Sequence, residues 1–161
     1  MLPASPLIVA VDDEPDDVFF LRRTLDKTGI PHRFQPYSNG EAAQAALATV
    51  AAAATPADAP IIVFLDIKMV GMSGFDVLRW IRAHRALDDL PVMMYSSSDH
   101  PSDVSLAREL GAQGYLKKYP SVDAMTTVLQ EALAFAQTPP PRSTFVQWSY
   151  RFIDSVPVPA K

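Results

Sequence analysis

Ile61-Ile62-Val63-Phe64-Leu65-Asp66, followed by Ile67-Lys68-Met69-Val70-Gly71-Met72-Ser73-Gly74, is the stretch whose reading decides the fold. Five apolar residues in a row, mostly β-branched or aromatic, predict a strand buried on both faces. Asp66 stands where that strand ends, and a helical pattern (Phe75, Leu78, Trp80, Ile81) runs from about Phe75 to about Arg85. In an open parallel sheet, ligands bind outside the carboxyl ends of the strands. Asp66 therefore sits where chemistry is expected, although a turn or helix-capping aspartate is the commoner role for an Asp after a strand.

The same grammar recurs on either side. Leu7-Ile8-Val9-Ala10-Val11 is a second continuous apolar run, and it ends in Asp12-Asp13-Glu14. Pro15 suits a first helical turn, Val18, Leu21 and Leu25 form an apolar stripe, and Gly29 stops the helix. Phe34 to Ser38 is a short strand that Pro36 assigns to a sheet edge. Asn39-Gly40 turns the chain into an alanine-rich helix, Glu41 to Ala54. Downstream, Pro91-Val92-Met93-Met94-Tyr95 ends in Ser96-Ser97-Ser98-Asp99, and Pro101 opens a helix that Gly111 closes. Gln113 to Lys117 is a short fifth strand leading to Lys118. Ser121 caps a last helix whose apolar set is Val122, Met125, Val128, Leu129 and Leu133. Five β-α repeats imply a parallel sheet with helices on both faces. At this length the expectation is a flavodoxin-like, doubly wound (βα)5 fold with strand order 2-1-3-4-5.

Composition narrows the function. The chain has 161 residues, 48% of them hydrophobic, and a net charge of −4. Nothing there suggests a nucleic-acid footprint. It contains no cysteine, which removes disulfides, thiolate nucleophiles and zinc-thiolate sites and fits a cytoplasmic location. No apolar run has bilayer-spanning length, and the start of the sequence is not a secretory signal. His32, His84 and His100 show no metal-ligand spacing and are expected at the surface. Gly71-Met72-Ser73-Gly74 lacks the Lys and Ser/Thr of a P-loop.

In a parallel sheet the strand ends share one edge. That edge gathers Asp12, Asp13, Asp66, Ser96 and Lys118. Carboxylates to hold Mg²⁺, a hydroxyl and an ammonium for phosphoryl oxygens, and a carboxylate acceptor are the parts that phosphoryl transfer to an aspartate requires.

The motifs Val11-Asp12-Asp13-Glu14, Leu65-Asp66-Ile67-Lys68-Met69, Ser96-Ser97 and Tyr115-Leu116-Lys117-Lys118 make residues 6–136 resemble the receiver domain of two-component response regulators. The resemblance implies Asp66 as phospho-acceptor. It also implies Mg²⁺ on Asp13, Asp66 and the Lys68 backbone carbonyl, with Asp12 acting largely through water. Ser96 and Lys118 would contact the phosphoryl group, and Tyr115 would be the switch aromatic. It further implies a sensor histidine kinase as partner and protein contacts through the fourth helix, fifth strand and fifth helix. Such a chain is not an enzyme beyond assisting its own phosphorylation and dephosphorylation.

The chain departs from the family pattern at Val70, where Pro is usual, at Ser96, where Thr is commoner, and at Lys118-Tyr119-Pro120, where the usual Lys-Pro bond is typically cis. Lys118-Tyr119 is thus expected to be either trans with a rearranged loop or a non-proline cis bond. A phosphatase of the haloacid-dehalogenase type is disfavoured, because Lys68 stands where that chemistry wants a second acid.

Two regions follow: a receiver domain over 1–137 and an extension over 138–161. The extension opens with Thr138-Pro139-Pro140-Pro141, which is stiff and extended. It then carries Phe145, Trp148, Tyr150 and Phe152, too aromatic for a disordered tail and too short for a DNA-binding output domain. These residues either fold back or reach a second copy. The expectation is arm exchange in a symmetric homodimer. Single-domain regulators paired with bacterial phytochrome kinases are similar. The reading is a stand-alone phospho-receiver, with a phosphorylation-independent dimeric binding module as the alternative.

Overall fold

The structure is a computed structural model that describes residues 5–53, 59–139 and 145–147. Its order is β1 (Leu7–Val11), α1 (Pro15–Lys27), β2 (Arg33–Tyr37), α2 (Gly40–Ala52), β3 (Ile61–Leu65), α3 (Gly74–Arg82), β4 (Val92–Ser96), α4 (Pro101–Glu109), β5 (Gly114–Lys117), α5 (Val122–Gln137) and β6 (Val146–Gln147). All pairings are parallel, and the strand order is β2-β1-β3-β4-β5-β6. The expected 2-1-3-4-5 arrangement is therefore present, with β2 and its Pro36 on the edge as anticipated. Among the described residues, no helix is long and apolar enough to cross a membrane.

Side chains alternate across the strands, so the continuous apolar runs feed two cores. Val9, Val11, Val63, Leu65, Val92, Met94 and Tyr115 face one way, with Ala43, Leu47, Leu78 and Ile81. Ile8, Ala10, Ile62, Phe64, Met93, Tyr95 and Leu116 face the other, with Leu21, Leu25, Met125 and Leu129. α2, α3 and α5 begin where the sequence supplies side-chain caps. The Asn39 side chain accepts from Ala42 N–H at 2.7 Å. Ser73 and Asp76 form a reciprocal capping box, and the Ser121 hydroxyl accepts from Ala124 N–H at 3.1 Å.

Several details differ from the sequence expectation. α3 stops at Arg82, and a single turn of 3-10 helix at Arg85–Leu87 carries the helical pattern onward. The Arg82 guanidinium turns inward there. It donates to the carbonyls of Gly111 (2.9 Å), Leu87 (3.0 Å) and Leu90 (2.9 Å), and to the Gln113 side-chain oxygen at 2.6 Å. His100 is exposed as expected, whereas His32 and His84 are not. His32 has a side chain only 6% accessible, beside Asp26, and His84 lies 4.2 Å from the Trp80 ring.

The sheet also carries a strand that periodicity did not assign. Val146 and Gln147 pair with Gly114 and Tyr115 on the outer edge of β5. Phe145 packs against the Tyr115 side of the core, its ring 4.9 Å from the Arg108 guanidinium carbon. Trp148, Tyr150 and Phe152 lie outside the described residues.

β3 and α3 approach so closely that a Cβ at Gly74 would overlap the Asp66 carbonyl oxygen, while Gly74 N–H donates to Ile67 C=O at 2.9 Å. Gly74→Ala is expected to cost about 3 kcal/mol, since backbone must shift to admit the methyl. Gly29→Ala, at φ +75° with open space around it, should cost about 1 kcal/mol. Urea unfolding of the two variants measures the difference.

Candidate functional site

Register builds the site. β1 and β3 pair with Val11 opposite Leu65, so the next residues, Asp12 and Asp66, emerge side by side. Asp66 N–H donates to Val11 C=O at 2.9 Å. β4 and β5 pair with Ser96 opposite Lys117, and Lys118 N–H donates to Ser96 C=O at 2.8 Å. One sheet edge thus carries Asp12, Asp66, Ser96 and Lys118. Asp12, Asp66 and Ser96 are buried.

The Lys118 ammonium is the centre of this cluster, with a side chain only 3% accessible. It lies 2.9 Å from Asp12 Oδ2, 2.8 Å from Asp17 Oδ2 and 3.5 Å from Asp66 Oδ1, and it stands 5.6 Å from the centre of the Tyr95 ring. Asp12 Oδ1 accepts from Glu14 N–H at 3.0 Å, and Asp66 Oδ1 from Ile67 N–H at 3.0 Å. Asp13, half-buried, accepts from Val70 N–H at 2.8 Å and so ties the β3–α3 loop to the β1–α1 turn. Ser96 Oγ accepts from Ser98 N–H at 3.1 Å. Tyr115 is fully buried, and its hydroxyl donates to Ser98 C=O at 2.7 Å. Lys68 is exposed in the loop two residues beyond Asp66.

The structure thus brings together Asp12, Asp13, Asp66 and Lys118, with Ser96 on the same edge. Sequence reasoning missed Asp17 and Tyr119. Asp17 lies in the first turn of α1, where an acid is explained by the helix dipole alone. Its proximity to Lys118, 101 residues away, is purely tertiary. Tyr119 donates its hydroxyl to the other Asp17 oxygen at 2.7 Å. The Lys118-Tyr119 bond is cis, which decides between the two expected geometries.

The electrostatics follow from burial. Burial, aided by the neighbouring Asp12 charge and only partly offset by Lys118, pushes Asp66 up to about 6. Burial likewise raises Asp12 despite its hydrogen bonds from Glu14 and Lys118. Burial acts upward on Asp17 too, but the bonds from Lys118 and Tyr119 outweigh it and lower the group. Burial alone would lower Lys118, yet Asp17, Asp12 and Asp66 hold it well above its ordinary value. Burial pushes the Tyr115 hydroxyl up to about 12.

Oxygens of Asp12, Asp13 and Asp66 lie within 4.8 Å of one another. An all-oxygen donor set suits a hard divalent cation. Three carboxylates meet there with a single ammonium nearby, an excess of negative charge that fits a bound divalent metal.

Asp66 binds its proton more tightly folded than unfolded. Its contribution to stability is therefore favourable below about pH 4 and is lost as pH rises through about 6. Asp66→Asn, which keeps the neutral form, should stabilise the protein at pH 7 in chelator by up to about 3 kcal/mol. The gain should vanish below pH 4. Thermal unfolding of both proteins across pH 3.5–7.5 tests the sign.

Comparison with known proteins places this geometry. The model of the response regulator receiver domain matches residues 8–130. A probable cyclic di-GMP phosphodiesterase of Vibrio cholerae is 32% identical over 115 residues, 71% of this chain and 24% of its own. The first curated relatives matched are longer proteins, of which the chain spans about a quarter to two-fifths. PilH of Pseudomonas aeruginosa, 26% identical over 127 residues, is matched over 79% of this chain and 97% of its own. Among solved structures, the bacteriophytochrome response regulator RtBRR is similar, with TM-score 0.64, 24% identity and 87% of each chain covered. The Mn²⁺-bound form of response regulator Rcp1 gives TM-score 0.62 and 24% identity, over 83% of this chain and 96% of that one. The chain belongs to the response regulator receiver domain family, the signalling modules of two-component systems.

Proposed function

We infer that this chain accepts a phosphoryl group from a histidine kinase on Asp66 and passes the signal on through protein contacts. The observation that carries the reading is Asp66 itself. It is a nearly buried carboxylate at a strand end, flanked by two further carboxylates and a buried ammonium, and raised only to about 6. At neutral pH most of it is ionised and nucleophilic. A carboxylate oxygen of Asp66 attacks phosphorus, the P–N bond of the donor phosphohistidine breaks, and the imidazole departs with the electron pair.

The residues around it divide the remaining work. Lys118 supplies positive charge to the transferred phosphoryl oxygens from within its buried site. The Ser96 hydroxyl, at the end of β4, donates to a phosphoryl oxygen once that oxygen exists. Tyr115, tied to Ser98 C=O, is the aromatic group that follows the movement of this loop. Asp12, Asp13 and Asp66 would hold Mg²⁺, joined by the Lys68 carbonyl, and the ion supplies charge neutralisation of the phosphoryl oxygens. Phosphorylation adds charge and acceptor oxygens at the sheet edge, and the α4–β5–α5 face is where a partner reads the change. The resemblance to phytochrome-associated regulators favours a bacteriophytochrome as the kinase.

In the same reading two copies pair through Phe145, Trp148, Tyr150 and Phe152. The outer edge of β5, which takes up Val146 and Gln147 of its own chain, offers the arm of a second copy an equivalent seat.

Intact-mass spectrometry after acetyl phosphate and Mg²⁺ tests the acceptor. One phosphoryl group is expected on the parent and none on Asp66→Asn or in excess chelator. Equal labelling of both proteins would place the acceptor elsewhere, and labelling of neither, even with a kinase donor, would favour a phosphate-independent binding module. For the arm, truncation after Gln137 should convert a dimer to a monomer by light scattering. An unchanged mass would sink the pairing.

A further inference from the structure

The Lys118 ammonium does not favour the acceptor. It has three N–H donors. Asp17 and Asp12 take two of them at 2.8 and 2.9 Å, whereas Asp66 stands off at 3.5 Å, beyond a good hydrogen bond. Asp17 is not among the three carboxylates that could share a metal ion. It enters from α1, its side chain 15% accessible, and its second oxygen is gripped by Tyr119. Two consecutive residues of the β5–α5 loop, Lys118 and Tyr119, thus clamp one α1 carboxylate, the first from the interior and the second from the surface. Tyr119 is 60% exposed and meets Phe20 edge-on at 6.1 Å, and Phe20 in turn meets Phe19 at 5.7 Å. A hydrogen-bonded line therefore runs from the acceptor region to an exposed aromatic ridge.

We propose that Asp17 is a positioning residue that withholds Lys118 from Asp66 in the resting state, and that Tyr119 reports at the surface when a phosphoryl group draws Lys118 away. This rests on Asp66 being the acceptor. Phosphorylation puts about one and a half to two negative charges on oxygens beside the ammonium. Asp17 carries one, already shared with the Tyr119 hydroxyl. The ammonium moves to the phosphoryl oxygens, Asp17 loses its charged partner, and its bond with Tyr119 is left to carry the carboxylate. The ring environment of Tyr119, and with it the outer end of the Phe19–Phe20 ridge, changes with the state of Asp66.

Two variants of the full chain separate this from general loosening. Asp17→Asn replaces the charged acceptor of Lys118 with a neutral amide oxygen and removes a charge that repels the donor, so labelling of Asp66 by acetyl phosphate and Mg²⁺ should accelerate roughly tenfold, the size of one charge-assisted hydrogen bond. Tyr119→Phe leaves Asp17 with Lys118 alone, tightens that pair, and should slow labelling. A purely structural role would move both rates in the same direction. Fluorotyrosine ¹⁹F NMR supplies the second readout, with Tyr119→Phe assigning the resonance. In the parent the Tyr119 signal should shift as Asp66 becomes phosphorylated, and in Asp17→Asn that shift should be lost although labelling persists. A phosphorylated parent whose Tyr119 signal does not move, or an Asp17→Asn labelling rate unchanged or reduced, would overturn the proposal while leaving Asp66 as acceptor. If Asp17→Asn does not fold, a Tyr119→Phe rate equal to or above the parent's overturns it. Absence of phosphate on Asp66 in every protein would overturn the acceptor reading, and this proposal with it.

Discussion

One buried ammonium among carboxylates governs the arrangement of this protein. Lys118 lies within 3.5 Å of Asp12, Asp17 and Asp66, and its side chain is almost fully enclosed. Buried acids would otherwise neutralise by taking up protons, because desolvation of a charge is costly without a partner. Asp12 and Asp66 remain displaced upward, by burial first and only then by their neighbours. Several carboxylates share one ammonium, an arrangement that suits a divalent cation and makes the position of Lys118 consequential.

The rest of the molecule keeps that ammonium and those carboxylates at one edge. Parallel register sets Asp12 beside Asp66, and Lys118 just beyond Ser96. Asp13 ties the β3–α3 loop through Val70 N–H, and Gly74 lets α3 start against the Asp66 carbonyl. On the opposite side of the sheet edge, Arg82 gathers three carbonyls and the Gln113 side chain, joining the end of α3 to the approaches of β4 and β5. Both ends of β4 and β5 are pinned, so Ser96 and Lys118 emerge at fixed heights.

The sixth strand has a different logic. A two-residue pairing contributes little by itself, but it brings Phe145 onto the Tyr115 side of the core and under Arg108 of α4. Gln147 pairs with Tyr115, whose ring is fully buried and whose hydroxyl holds the Ser98 carbonyl. The beginning of the extension is therefore in contact with the strand that carries both Tyr115 and, one residue past its end, Lys118.

Much of this was legible in the chain. The runs Leu7–Val11 and Ile61–Leu65 are apolar on both faces, which only a strand covered on both sides tolerates. Ser121 announces a helix start because it supplies the oxygen that a helix N-terminus lacks. Strand-end residues converge in any parallel sheet, so Asp12, Asp66, Ser96 and Lys118 followed from topology alone. Asp17 did not, since an acid in a first helical turn has a sufficient local explanation and its bond to Lys118 spans 101 residues. Nor did the Tyr119 clamp, the inward turn of Arg82, or the docking of Val146, whose two-residue run is too short to carry a period. Local pattern determines which residues form elements and which face is buried. Which polar groups then share one cation depends on distances between elements, and only the packed sheet decides those.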